Sequence, residues 1–347
     1  VTRDLSLARS YAQFVRWRAI ILAGFALALA ASFLADIATG PSVFPLADVV
    51  RGIFDPAALP RPQYVILWDV RLPYAIMAIL VGASLGLAGA EMQTVLNNPL
   101  ASPFTLGVSA AATLGASLGI AAGTHFVPLD ALYAVPLMAF VFAVGSITLI
   151  QLLARAYGAT AETVVLFGIA IYFTCEALVW LVQYVVDADT LQQIVFWTMG
   201  SLSRASWDKI AVVAAVFFAV LPFSMRGSWA LTTLRGGDEQ ARSFGVRVER
   251  VRMLSLLRVS ILAAAAVAFV GTIGFVGLIG PHISRMALGE DHRFYLPGAA
   301  FAGALTVSLA SIASKAIVPG LVIPIGIVTA LIGIPVFLAL TLSRRRG

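Results

Sequence analysis

The stretch Arg258-Val-Ser-Ile-Leu-Ala-Ala-Ala-Ala-Val-Ala-Phe-Val-Gly-Thr-Ile-Gly-Phe-Val-Gly-Leu-Ile-Gly-Pro-His-Ile-Ser-Arg285 decides the topology of this chain. Val259 to Gly280 carries no charge. A membrane span needs about 20 mainly apolar residues, so length alone permits one helix. Two features argue for two. Arg258 and Arg285 flank the run, and basic residues on both flanks favour a return to the side of departure. Gly271, Gly274, Gly277 and Gly280 cluster in its second half. We read a tight hairpin of two spans, broken near Gly271–Gly274.

Outward from the hairpin, apolar runs recur along the 347 residues. Upstream lie Ala19–Leu34, Leu72–Ala90, Phe104–Ala122, Ala131–Ala154, Thr163–Val185 and Ile210–Met225. The hairpin supplies Val251–Val270 and Gly271–Met286, and Leu296–Ile317 and Ile325–Leu342 follow. The expected fold is an all-α integral membrane protein of about ten transmembrane helices, a single membrane domain over residues 1–347. Composition agrees. Hydrophobic residues make up 60% and charged residues 12%, with mean hydropathy +0.96, whereas a soluble domain carries about 25% charged residues. So few charges cannot cover a water-facing surface, and the lipid bilayer must solvate most of the chain.

With the N-terminus placed in the cytoplasm, only Arg51, Arg61, Arg71, Arg204, Lys209 and Lys315 of the 23 basic residues fall outside. The positive-inside rule therefore predicts a multi-pass protein with both termini cytoplasmic. The net charge of +6 reads as topology, not as nucleic-acid binding. Arg3, Arg9, Arg16 and Arg18 precede a run long enough to span, which predicts an uncleaved first helix. A proline-rich outer loop is expected at about 36–70, and the largest inner segment is Gly227–Arg252.

Several functions are excluded. The only lysines are Lys209, after Asp208, and Lys315, after Ser314, so the chain has no P-loop and any ATPase must be another subunit. One cysteine, Cys175, and three scattered histidines, His125, His282 and His292, make neither a disulfide nor a metal set. No HExxH and no paired carboxylates suggest an enzyme. Glu91 and Glu176 are the acidic groups inside apolar runs. Glu91 sits near a span end and is expected to cap or pair locally. Glu176 lies deeper, either facing a pore or hydrogen-bonding between helices. A secondary transporter driven by an ion gradient would require one of the two.

Six segments occur in order. Arg71-Leu-Pro73 leads into Val81-Gly-Ala-Ser-Leu-Gly-Leu-Ala-Gly89, whose small residues let helices approach closely in lipid. Asn97-Asn-Pro-Leu-Ala-Ser-Pro-Phe-Thr-Leu-Gly-Val-Ser109 and Phe196-Trp-Thr-Met-Gly-Ser-Leu-Ser203 come next. Gly237-Asp-Glu-Gln-Ala-Arg-Ser-Phe-Gly-Val246 precedes Gly274-Phe-Val-Gly-Leu-Ile-Gly-Pro-His282 with Asp291-His-Arg293. Pro324-Ile-Gly-Ile-Val-Thr-Ala-Leu-Ile-Gly-Ile-Pro335 closes the series. Together they resemble the FecCD family of ATP-binding-cassette importer permeases, which carry vitamin B12, haem and ferric siderophores.

The resemblance implies a homodimer with its pore on the two-fold axis, in the bacterial inner membrane. It implies two ATPase subunits inside, which bind ATP and Mg, and one periplasmic binding protein outside; this chain itself needs no cofactor and no metal. Helices two to five and seven to ten should form an inverted repeat. A coupling segment at about 237–250 would dock on the ATPase through Asp238, Glu239, Ala241, Arg242, Ser243, Gly245 and Val246. Acids there suit a helix start and Gly245 suits a stop. A gate region at about 189–207 would include Trp197, Met199, Gly200, Ser201 and Leu202, although Trp197 also suits an interfacial anchor. Phe173, Glu176, Trp180 and Tyr184 are pore candidates. Arg71 and Lys315 match positions that receive acidic residues of the binding protein; Tyr74 replaces a third such arginine, and Arg71 equally suits a helix anchor. The cargo expected first is a ferric siderophore, then haem, then cobalamin.

Overall fold

Hydrocarbon offers backbone N–H and C=O groups no partner but one another, so spanning segments of this composition must be helical. The computed structural model describes residues 2–40, 45–123, 131–158 and 160–343, and these form helices joined by turns. In chain order they are α1 (Thr2–Ala38), α2 (Leu46–Phe54), α3 (Arg61–Tyr64), α4 (Leu72–Val95), α5 (Val108–Ala122), α6 (Ala131–Tyr157), α7 (Ala161–Val185), α8 (Ala188–Thr198), α9 (Trp207–Arg226), α10 (Ser228–Leu234), α11 (Asp238–Ser243), α12 (Val248–Val270), α13 (Val276–Leu288), α14 (His292–Ala316) and α15 (Ile325–Ser343). Seven helical stretches among the described residues are long and apolar enough to cross a membrane. They are α1, the continuous α3–α4, α6, α7, α9, α12 and α14. The shorter α5 and the first part of α15 are apolar as well.

The hairpin is real. α12 stops at Val270, Gly271 takes φ +80°, and α13 starts at Val276 after Phe275, a left-handed N-cap at φ +67°. The short α5 opens the same way, on Gly107 at φ +78°, so the third span begins at Val108 rather than Phe104. Each half thus runs a long helix, an irregular link and a short helix. The proline-rich outer segment is largely helical, contrary to its reading as a loop. Val65–Arg71 winds as a π-helix into α4. Pro73 supplies the reason, since it cannot donate to the carbonyl four residues back and its ring crowds that carbonyl.

Small residues set the centre of the packing. A Cβ on Gly82 would lie 2.4 Å from the Gly303 carbonyl oxygen, one on Gly86 2.2 Å from that of Ala299, and one on Gly89 2.0 Å from that of Gly277. α4 therefore touches α13 and α14 backbone to backbone, the contact that dispersion favours in lipid. α1 is held to α14 by hydrogen bonds, Ser32 Oγ to Ser308 Oγ at 2.7 Å and Ser311 Oγ to Asp36 Oδ1 at 2.6 Å. Arg18, Arg235, Arg252, Arg285 and Arg293 lie at one end of the bundle, the basic end, and Asp36, Arg71 and Lys315 at the opposite end. Gly86→Ala is expected to destabilise by roughly 1–3 kcal/mol through overpacking. Thermal unfolding in detergent checks this against Gly24→Ala, which should be silent because nothing lies within 4 Å of a Cβ there.

Candidate functional site: gate turn, pocket and basic-end surface

α8 has 11 residues, too few to cross a bilayer. Asp187 starts it, accepting from the Thr190 amide at 3.0 Å and the Thr190 hydroxyl at 2.8 Å. These donors hold the Asp187 carboxyl below its usual range. The gate region expected at about 189–207 is helical as far as Thr198. The chain then reverses through Met199, Gly200 and Ser201, and Leu202–Arg204 forms a 3-10 turn toward α9.

That reversal is tied to two other helix breaks. The Ser201 amide donates to the Val270 carbonyl at 2.6 Å, the Ile325 amide to that of Gly200 at 3.0 Å, and the Gly326 amide to that of Met199 at 3.1 Å. The Thr272 hydroxyl donates to the Thr198 carbonyl at 2.5 Å. Gly200 has φ +69°, and a Cβ on it would lie 2.4 Å from the Thr272 carbonyl oxygen, so only glycine fits. Trp197 and Leu202 are buried, which removes the interfacial-anchor alternative for Trp197; Met199 and Ser201 are partly exposed.

α7 exposes most of its surface. Phe173 and Trp180 are each 64% exposed and Tyr184 87%, whereas Val164, Gly168, Cys175 and Val179 pack inward. Glu176 is half-buried and turns into a cavity of about 200 Å³. Ser109 and Thr113 of α5, Gln183 of α7, and Thr198 and Thr272 of the gate turn also line it. The structure therefore brings Glu176 and Trp180 to the gate turn. Phe173 and Tyr184 lie on the same helix outside this cavity.

At the basic end, Arg252 of α12 is buried and ties three elements together. Its Nε donates to the Val95 carbonyl at the end of α4 at 2.9 Å, and its Nη2 to Asp238 Oδ1 at 3.0 Å. Cations suit helix C-termini. Asp238 is thus bound inward, and Ala241 is wholly buried. Gly245 takes φ +80° and stops α11 as expected, and the Val246 amide returns to the Ala241 carbonyl at 3.0 Å. Glu239, Arg242 and Ser243 face outward with Phe244, whose side chain is 60% exposed. α10 is fixed below by His292, whose Nε2 lies 2.8 Å from Thr94 Oγ1 and Nδ1 3.1 Å from Thr232 Oγ1. Arg235 pairs with Glu290 and holds that carboxyl below its usual range.

Glu91 is wholly buried and paired. Arg258 Nη2 donates to its Oε2 at 2.6 Å and Arg258 Nε at 3.0 Å, with Ser255 Oγ accepting from the same guanidinium at 2.8 Å. At the opposite end, Arg71 Nη1 donates to the carbonyls of Ile37 at 2.8 Å and Ala38 at 3.0 Å. Lys315 Nζ meets Asp36 Oδ1 at 2.6 Å and sits 4.8 Å from the centre of the Tyr74 ring. Both side chains clasp the end of α1, with Arg71 buried and the Lys315 side chain 6% exposed, and both also line a cavity of about 450 Å³ with Tyr74 and Ser203. Sequence reasoning missed Phe244 and the hydroxyls of Thr198 and Thr272. Phe244 was legible as the one aromatic between Asp238 and Val246; the threonines carry no local signal, because only the fold brings them to Glu176.

Residues 27–343 match the FecCD transport family. The chain is 38% identical over 280 residues to the hemin transport system permease of Yersinia pestis, covering 80% of this chain and 84% of that one. It is 34% identical over 324 residues to the vitamin B12 import system permease of Vibrio vulnificus, covering 93% of each. A solved chain described as an inward-facing metal-chelate type ABC transporter superposes with TM-score 0.80 at 31% identity, over 93% of this chain and 99% of that one. With seven helical stretches able to cross a membrane among its described residues, a pinned turn after α8 and a braced basic-end surface, this helical membrane permease belongs to the FecCD transport family.

Proposed function

We propose that the chain is the permease of an ATP-binding-cassette importer that moves a ferric siderophore across the bacterial inner membrane into the cytoplasm. It works as a homodimer, with two ATPase subunits at the basic end and one periplasmic binding protein at the opposite end. Both termini then lie in the cytoplasm. The observation that carries this reading is the α11 surface: a helix of 6 residues, useless as a domain, yet braced by the buried Arg252 and tipped by the exposed Phe244. A docking knob has that form. Family membership and the hemin and vitamin B12 permeases among its relatives support the importer class. The order siderophore, haem, cobalamin rests on the Phe196-to-Ser203 pattern.

The ion-gradient alternative loses one of its two carboxylates. Glu91 is locked by a bidentate guanidinium, and a group that binds and releases a coupling ion needs access.

Three measurements test this. Deleting the gene should abolish uptake of one labelled ferric siderophore and spare haem and cobalamin; loss of haem or cobalamin uptake instead would reassign the cargo. Phe244→Asp should abolish chelate-stimulated ATP hydrolysis by the assembled complex while the dimer stays folded, and unchanged hydrolysis would remove the docking role. Ala241 is unsuitable for that test because burial makes any larger side chain there a folding variant. Removing one partner of a buried ion pair costs about 3–5 kcal/mol, whereas replacing both by apolar groups is often neutral. Glu91→Leu alone should therefore unfold in detergent far below wild type, and Glu91→Leu with Arg258→Met should recover both stability and ATP-driven uptake. An ion carrier using Glu91 would stay inactive in the double variant.

A further inference from the structure

We propose that Glu176 is a charge-selecting residue of the translocation pathway, favouring chelates whose periphery presents positive charge or hydrogen-bond donors over anionic chelates. This rests on the reading of the chain as a ferric-chelate permease. Ionisable side chains within membrane spans face a bundle interior or a water-filled cavity, and they find partners where they can. Among the described residues, the Glu176 carboxyl makes no ion pair and no hydrogen bond, in contrast to Glu91. It faces a cavity whose polar lining is Ser109, Thr113, Tyr172, Gln183, Thr198 and Thr272. None of these is basic, and two belong to the gate turn and its tether.

The charge around it points the same way. Between Arg155 and Arg204 the sequence holds Glu162, Glu176, Asp187 and Asp189 and not one Lys, Arg or His. That interval contains all of α7 and α8. An anionic cargo moving along α7 meets carboxylates first, and the nearest cation, Arg204, stands on the far side of the turn, where its Nη2 donates to the Phe196 carbonyl at 3.0 Å. A cationic group meets an acceptor with hydroxyls beside it. The cavity, about 200 Å³, holds a terminal group such as an ammonium and not a whole ferric chelate. Selection therefore acts on the periphery of the cargo and leaves the metal core untouched. In a homodimer each copy contributes one such carboxyl.

The test uses the complete transporter in proteoliposomes and three ferric trihydroxamates built on one scaffold. One carries a free terminal ammonium, one is N-acetylated and neutral, and one is N-succinylated and anionic. A unit charge in a partly dry pathway shifts selectivity by roughly tenfold, so wild type should carry the ammonium form about ten times faster than the succinylated form. Glu176→Gln should bring the two within about twofold. The binding protein is the same in both arms, so a change in the ratio belongs to the permease. A second variant guards against misfolding. In a Cys175→Ser background, Glu176→Cys labelled after assembly with a sulfonatoethyl thiol reagent should regain the preference, and labelling with a trimethylammonioethyl reagent should reverse it. An unchanged ratio in Glu176→Gln, or identical ratios with the two labels, would overturn the inference and leave the permease reading intact. Transport of none of the three by wild type, with no other ferric chelate carried, would overturn the ferric-chelate reading and this inference with it.

Discussion

A backbone group inside a bilayer must bond to protein, and the gate turn exists only because three helix breaks answer that demand for one another. Ser201 donates to the last carbonyl of α12, and the start of α15 donates to Met199 and Gly200. Thr272, in the link between α12 and α13, donates back to Thr198. No one of the three irregular stretches satisfies itself. Moving the turn outward alone would strand several of these groups, each at a cost of a few kcal/mol. The turn therefore moves with the ends of α12 and α15 or not at all.

α12 gives that constraint its reach. Its 23 residues span about 34 Å. At one end Arg252 holds Asp238 and with it α11. In its middle Arg258 grips Glu91 of α4. At the other end Val270 receives Ser201. One unbroken helix thus runs from the surface proposed to meet an ATPase to the turn proposed to gate the pathway. The buried Arg252 and the half-buried Arg258 are costly groups to desolvate, and each is placed where losing its partner would loosen α12 from a neighbour. That placement suits a lever better than a bundle selected for stability alone.

The sequence made the long apolar spans, the break after Val270 and the short α11 legible, because each depends on local chemistry: apolar length, glycine position and basic flanks. Glu91 was legible as a pairing group, though its partner, Arg258, lies 167 positions away and was not. The helical winding of 46–71 was hidden behind prolines that usually mark loops; here Pro62 sits in a first turn, where a missing N–H costs nothing, and the π-helical stretch before α4 accommodates Pro73. The inward turn of Arg71 and Lys315 was hidden for a different reason. A cation next to a span end reads equally as a surface charge or an anchor, and the contacts to Asp36 and the α1 carbonyls come from residues far away in the sequence. The pocket around Glu176 was out of reach altogether, since its hydroxyls come from α5, the gate turn and the α12–α13 link.

The burial of the helices is lopsided, and this bears on how a pathway can form. α4, α12 and α14 are mostly enclosed, with small residues at their contacts. α7 is not: Phe173, Trp180 and Tyr184 stand clear of the protein along one face, and the unpaired Glu176 carboxyl sits beside them. A purely lipid-facing helix would have no use for Glu176, Gln183 and the hydroxyls gathered at the same level, because hydrocarbon penalises each of them. A purely packed helix would have buried Phe173 and Trp180. A face that is apolar, aromatic and interrupted by one polar pocket fits a conduit wall whose other half comes from a second copy of the chain. In the homodimer proposed above, each protomer would supply one such wall and one closing turn.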